Sequence, residues 1–325
     1  LESKRYRDER RKEWQPNVEI IDIFDFGDDA APHDSLADTQ ESEPVRLEDG
    51  DPQAQDPCTQ RRRDSSDAAI LTGETPLRDG PAIHTSKTRG ESYLVVSDLQ
   101  VPYEAKAALE FVAAAAREFR VEVREPGRVL CVGDEVDFYH WSRFPRLPTA
   151  PHTPEQELEA LRDKLRRWYA AFPFVKVCFS NHGGRILKRA AEAQIPEQLI
   201  RAHREILDAP SGWEWAEMWR VKASRQPFLV EHGHAGPQSV SAMRQRPALN
   251  GVNTVWGHAH AQPGVVHVET LGQRVWGMCV GSLIDRDQIA FEYGRNATWR
   301  AVNGIGVVLD GGRTPIWIPY GGSWP

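Results

Sequence analysis

At 325 residues the chain has room for one large domain or two ordinary ones, and 40 Lys and Arg against 47 Asp and Glu leave a net charge of −7. That balance argues against a generally basic nucleic-acid binder, and no apolar stretch approaches the ~20 residues that span a bilayer, so no membrane contact is expected. The four cysteines are far apart with no CxxC pair, and LESKRYRDERRKEW at the N-terminus lacks the apolar core of a secretory signal; a reducing, cytoplasmic setting is expected.

The charge is unevenly spread. Between Glu19 and Asp56 thirteen acidic residues face the single Arg46, a local charge of −12 that leaves +5 for the rest. Such a stretch repels itself and buries too little apolar surface to offset chain entropy. Residues 1–90 are therefore expected to be largely disordered, an acidic segment that could recruit a protein partner. Ser3–Trp14, basic and helix-like, is a local exception. Val18–Phe26 (VEIIDIFDF) reads as a transiently ordered tail, or else as a strand or docking peptide.

Residues 91–325 read as a folded domain. YLVVSD, ending on Asp98, is a buried strand. Glu104–Arg120 has helical spacing and an alanine run that favours a helix. Arg128–Asp134 (RVLCVGD) is a second buried strand, Glu155–Phe172 an amphipathic helix, and Phe174–His182 a third strand. Trp213, Trp215 and Trp219 read as helix-borne core or as a cap over a site. FLVEH, VNTVWGH, GVVHVET, RVWGMCV, IGVVLD and IWIP follow as short strands. The alternation predicts an α/β fold of two sheets packed face to face and flanked by helices. Cys131 and Cys178 lie in apolar runs and read as buried, reduced thiols.

Polar residues of ligand type close successive apolar runs: Asp98 and Gln100, Asp134 and Asp137, Asn181 and His182, His232 and His234, His258 and His260. In a layered sheet the C-terminal strand ends share one rim, where sites are commonly built. Mixed oxygen and imidazole donors suit Mn²⁺, Fe or Zn²⁺ better than Ca²⁺. The motifs SDLQ, GDEVD, SNHGGR, EHGH and GHAH, in this order from Tyr93 to Pro319, resemble the calcineurin-like metallophosphoesterases, whose pattern runs DxH, GDxxD, GNH, HGH, GHxH. VGSLID after GHAH is similar to that family's closing segment.

The resemblance implies a phosphoester hydrolase with two divalent metal ions and a metal-activated water. Asp98, Gln100, Asp134 and His260 would hold one ion; Asp134, Asn181, His232 and His258 would hold the other. Asp134 is then the bridge, as two cations ~3.5–4 Å apart need a shared carboxylate. His182 would meet the substrate, Asp137 would orient it, and Arg185 would bind phosphate. His234 is either a supporting or a structural residue, and His140, His152, His203 and His267 read as ordinary histidines.

The chain departs from the pattern in two places, at Gln100 and around Asn181-His182. Gln100 stands where His is usual, a form known in the nucleotide diphosphatase branch, and should favour Mn²⁺ or Mg²⁺ over Zn²⁺. Gly183-Gly184 stand where an acidic residue is common, and Ser180 replaces a Gly. Asp137 is followed by FYHWSRF (Phe138–Phe144) rather than the Arg-Gly of the protein-phosphatase branch. Its aromatics would stack on a nucleobase or pack beneath the next helix, and Arg162–Trp168 and Arg185–Ala190 are the best basic stretches. The expected substrate is a phosphodiester of a nucleotide or nucleic acid. The alternatives are a small-metabolite phosphomonoester or nucleotide diphosphate, or a catalytically weak binding protein.

Overall fold

In the computed structural model, residues 82–84, 91–143, 152–236, 242–270, 272–288 and 300–321 are described, all within one unit, Gly73–Pro325. The strands in chain order are β1 (Ala82–His84), β2 (Tyr93–Val96), β3 (Val129–Cys131), β4 (Val175–Cys178), β5 (Trp213–Ala216) and β6 (Met218–Lys222), then β7 (Phe228–Glu231), β8 (Asn253–Trp256), β9 (Gly264–Thr270), β10 (Gln273–Cys279), β11 (Gly304–Leu309) and β12 (Thr314–Pro319). The helices are α1 (Ala108–Glu118), α2 (Pro154–Ala171), α3 (Arg185–Glu192), α4 (His203–Ile206) and α5 (Ala242–Asn250).

Two mixed six-stranded sheets form, ordered β12-β11-β2-β3-β4-β5 and β1-β6-β7-β8-β10-β9. In the first, β2 to β5 run parallel, and β11 lies antiparallel along the outer edge of β2, pairing Gly306 with Val95 and Val307 with Leu94. In the second, β7, β8 and β10 run parallel. The α/β architecture expected from the sequence, two sheets flanked by helices, is the one observed.

Side-chain alternation along the strands explains the layers. β2 sends Leu94 and Val96 into a core shared with Val112 and Ala115 of α1 and Leu161, Leu165 and Trp168 of α2. It sends Tyr93 and Val95 into a second core with Val230, Val255 and Met278 of the facing sheet. Being apolar on both faces, the central strands read as continuous runs.

Helix boundaries follow local chemistry. Thr153 caps α2 in a capping box with Gln156, Pro154 occupies the first turn, and the helix begins one residue before the expected Glu155. α1 begins four residues after the expected Glu104, because Glu104 bridges to Ile284 and the Ala105 N–H bonds Leu283 O. Trp213, Trp215 and Trp219 are not on a helix. They lie on β5 and β6, with Trp213 in the helix-side core and Trp219 between the sheets.

β1 falls inside the segment read as largely disordered and pairs parallel with β6, Ala82 opposite Arg220. A boundary at residue 90 would remove that strand. Ser3–Trp14, Val18–Phe26 and the acidic stretch lie outside the described residues. No helix among the described residues is long and apolar enough to cross a membrane. Cys131, Cys178 and Cys279 are buried free thiols, each pushed up in pKa by burial.

Candidate metal centre

Parallel pairing sets the ends of β2, β3 and β4 side by side, with β7 and β8 in the facing sheet. Backbone bonds carry the β2–β3 register past the strands, from Asp98 N–H to Gly133 O at 3.1 Å and Gln100 N–H to Asp134 O at 2.8 Å. There the chain turns sharply. Asp98 (φ 48°), Gln100 (46°), Asp134 (49°) and His258 (63°) are all in the left-handed region. Such residues cost ~1–3 kcal/mol each and persist where the surroundings over-determine them. Two glycines make the approach feasible. A Cβ at Gly133 would lie 2.7 Å from His232 Nδ1, and one at Gly257 would lie 2.5 Å from Asp98 Oδ2.

Two groups result that could hold a metal ion, Asp98–Asp134–His260 and Asp134–His232–His258, the donor atoms of each lying within 4.8 Å of one another. Asp134 belongs to both. Asn181 joins through Oδ1, 2.8 Å from His232 Nε2. His232 Nδ1 lies 2.9 Å from Val132 O, which can only accept, so that nitrogen carries the proton. Burial holds the His232 pKa well below its ordinary value, and the His258 and His234 rings add to the effect. A neutral His232 thus presents its Nε2 lone pair to the Asn181 oxygen, a conflict that a shared cation would relieve.

The buried carboxylates are answered unequally. Burial pushes the Asp134 pKa up to about 7, with Asp98 repelling it and His182 pulling the other way. Burial also opposes ionisation of Asp98, but His260 Nε2, 2.7 Å from Asp98 Oδ1, holds its pKa below the usual range. Ser97 Oγ bonds the other Asp98 oxygen, which also accepts the His258 N–H at 3.1 Å. Gln100 is fully buried, yet neither its Oε1 nor its Nε2 has a hydrogen-bond partner. A stranded buried amide costs ~1–3 kcal/mol. The shared Asp134, the stranded Gln100 and the oxygen and imidazole donors fit divalent cations.

His182, Asp137 and Arg185 form a second constellation beside the first. His182 donates its backbone N–H to Asp134 Oδ1 at 3.2 Å. Its Nδ1 lies 3.2 Å from Asp137 Oδ1, an ion-pair distance but out of line for a hydrogen bond. Arg185, first residue of α3, donates to Asp137 O (2.8 Å) and Oδ1 (2.5 Å) and approaches His182 Nε2 at 3.0 Å. Although burial opposes it, His182 and Arg185 hold the Asp137 pKa below its ordinary value. In this state the Arg185 fork, expected on phosphate, engages Asp137 and His182.

The aromatic segment after Asp137 packs inward. Phe138 is fully buried, Trp141 lies edge-on to it at 5.4 Å, and Arg189 Nε donates to Trp141 O. The packing alternative therefore holds for Trp141, and Phe144 lies outside the described residues. Buried Glu157 of α2 accepts from the N–H groups of Tyr139 (2.7 Å) and His140 (3.0 Å) and contacts His140 Nδ1, giving that histidine a structural role. In the first basic stretch Arg162 pairs with Asp208, Lys164 with Glu104, Arg166 with Asp163 and Arg167 with Glu110; in the second Arg189 pairs with Glu192.

Two groups near the site carried no motif signal. Glu135, inside GDEVD, receives His203 Nε2 and Trp215 Nε1, each at 2.9 Å from Oε1. Arg246 of α5 pairs with Glu231 and donates to Gly233 O and Ala235 O, fixing the loop on either side of His234.

No protein-family model matches the chain, and no curated protein matches it. Among solved structures it is similar to Chaetomium thermophilum Vps29, at 12% identity and a TM-score of 0.32, over 66% of this chain and 82% of that one. A likeness so remote says nothing of activity, and the functional reading rests on the site's own residues.

Proposed function

We propose that the chain is a dinuclear metal-dependent phosphoesterase of the calcineurin-like type. The observation that carries this reading is Asp134, a buried carboxylate common to both candidate ligand groups. One ion would be held by Asp98, Gln100, Asp134 and His260, and the other by Asp134, Asn181, His232 and His258. The oxygen-rich first set favours Mn²⁺ or Mg²⁺ over Zn²⁺. Such ions, when bound, supply charge stabilisation of a phosphoryl group and lower the pKa of water.

The chain's own residues do the remainder. His182 Nε2, now facing Arg185, becomes available to the leaving oxygen when Arg185 turns its donors to phosphate. Asp137 stays against the Nδ1 side of the imidazole and holds its orientation. The locally answered basic side chains of α2 and α3 favour a nucleotide-sized phosphodiester over a long polyanion.

The test is Mn²⁺ stoichiometry by elemental analysis, together with hydrolysis of bis-p-nitrophenyl phosphate, p-nitrophenyl phosphate, cyclic nucleotides, ADP-ribose and single-stranded DNA. Two equivalents of Mn²⁺ and turnover of a diester support the reading; no metal and no turnover overturn it. Monoester turnover alone would favour a small-metabolite phosphatase. His182→Ala should keep both metals while kcat falls ~10²–10⁴-fold, and loss of a metal equivalent in that variant would place His182 among the ligands.

A further inference from the structure

Two loops meet beside the candidate metal centre, those after β3 and β4. The first carries Asp134 and the second carries Asn181 and His182. His203, at the start of α4, touches both of them and strand β5. Its Nε2 lies 2.9 Å from Glu135 Oε1, so that nitrogen bears the proton. Its ring lies edge-on to Phe138 on the first loop (6.1 Å between centroids), Phe179 on the second (6.4 Å) and Trp215 on β5 (5.4 Å). A Cβ at Gly183 would meet His203 Cε1 at 3.6 Å, so the second loop runs directly against the ring. Glu135 is 1% exposed, and its Oε1 also accepts from Trp215 Nε1 at 2.9 Å.

Glu135 follows the proposed bridging residue directly, and Gly183 lies two residues beyond Asn181. His203 thus sits behind two loops that are proposed to present donors to one cation. The loops also touch on their inner side, where His182 N–H reaches Asp134 Oδ1 at 3.2 Å, while Gly183 N–H reaches Ser180 Oγ at 3.1 Å within the second loop. We infer that His203, acting through Glu135, is a positioning residue that sets the separation of the Asp134 loop from the Asn181–His182 loop. The inference rests on the dinuclear reading above. Its physical basis is that groups behind metal ligands fix their orientation, and that losing one typically lowers metal affinity ~10–100-fold.

The experiment uses the full chain and Mn²⁺ alone, with affinity read by titration calorimetry. His203→Ala should weaken Mn²⁺ binding ~10–100-fold, and His203→Gln, which keeps an N–H donor, should recover much of the loss. Tyr169→Phe is the control. It removes a 3.1 Å hydrogen bond to Leu207 O at the end of the same helix while keeping the His203–Glu135 bond, and should leave the affinity unchanged. Wild-type affinity in His203→Ala would overturn the inference, as would an equal loss in Tyr169→Phe. A second readout needs no metal. In the metal-free chain, hydrogen exchange at the His182 and Gly183 amides should quicken in His203→Ala and not in Tyr169→Phe. If the wild type bound no Mn²⁺, the dinuclear reading would fall, and unchanged exchange at those two amides would separately overturn the linkage.

Discussion

β2 and β3 bury charge at both of their ends, and the two ends resolve it differently. Before the strands, Glu91 and Arg128 pair at 2.9 Å, both about 2% exposed, with Glu125 3.1 Å from the same guanidinium. Glu91 also accepts from Ser224 N–H and Tyr93 Oη. After the strands, Asp98, Asp134 and Asp137 are equally buried. There Arg185 answers Asp137, burial keeps His232 neutral, and the Gln100 amide is stranded. One end is closed in charge, Glu91 and Glu125 against Arg128; the other gathers the shared oxygen and imidazole donors that a cation site needs.

The largest expected break in this contrast is Asp134→Asn, which should lose both Mn²⁺ equivalents and all turnover. Near-normal turnover in a folded, metal-loaded variant would remove Asp134 from the bridging role. The same variant without metal should be more stable than wild type at pH 8. A carboxylate with its pKa raised from 3.8 to about 7 is penalised in the folded state above pH 7, and the penalty disappears below pH 3.8. The advantage of Asn should therefore fade as pH falls through that window, as urea melts in EDTA would show.

At the closed end the sign reverses. Glu91→Gln leaves Arg128 buried with a weakened partner and should cost ~3–5 kcal/mol in urea unfolding while leaving Mn²⁺ stoichiometry at the wild-type value. A stabilised Glu91→Gln would mean that the two ends are alike after all. Gln100→Met keeps the volume and removes both stranded atoms. It should stabilise the metal-free chain by ~1–3 kcal/mol and lose one metal equivalent. Retention of both equivalents at wild-type affinity would show that Gln100 is no ligand.

The donor end of this contrast is legible in the sequence, because the runs ending at Asp98, Asp134, Asn181, His232 and His258 are each a short apolar stretch closed by a donor residue; the Glu91–Arg128 end is not. Asp98, Asp134 and His260 converge, as do Asp134, His232 and His258, since parallel pairing in each sheet puts those run ends side by side. Contacts between distant positions left no such signal. His203 meets Glu135 across 68 residues, and only α4 lodging against β5 brings them together. Trp213, Trp215 and Trp219 mix spacings of two and four, so periodicity alone could not distinguish strand from helix. Arg185 stands at the expected place, but its engagement with Asp137 depends on how α3 enters the rim, which spacing does not encode.

The position of β11 has a consequence for how the chain comes off the ribosome. Every proposed donor, from Asp98 to His260, is synthesised before Gly304. Until β11 arrives, the outer edge of β2 has no strand beside it, and β2 positions Asp98. A nascent chain can thus hold a complete donor set while displaying an unpaired, apolar edge of the kind that recruits strands from other molecules. A stop codon just before Gly304 would keep every proposed donor in the chain and leave that edge of β2 without β11.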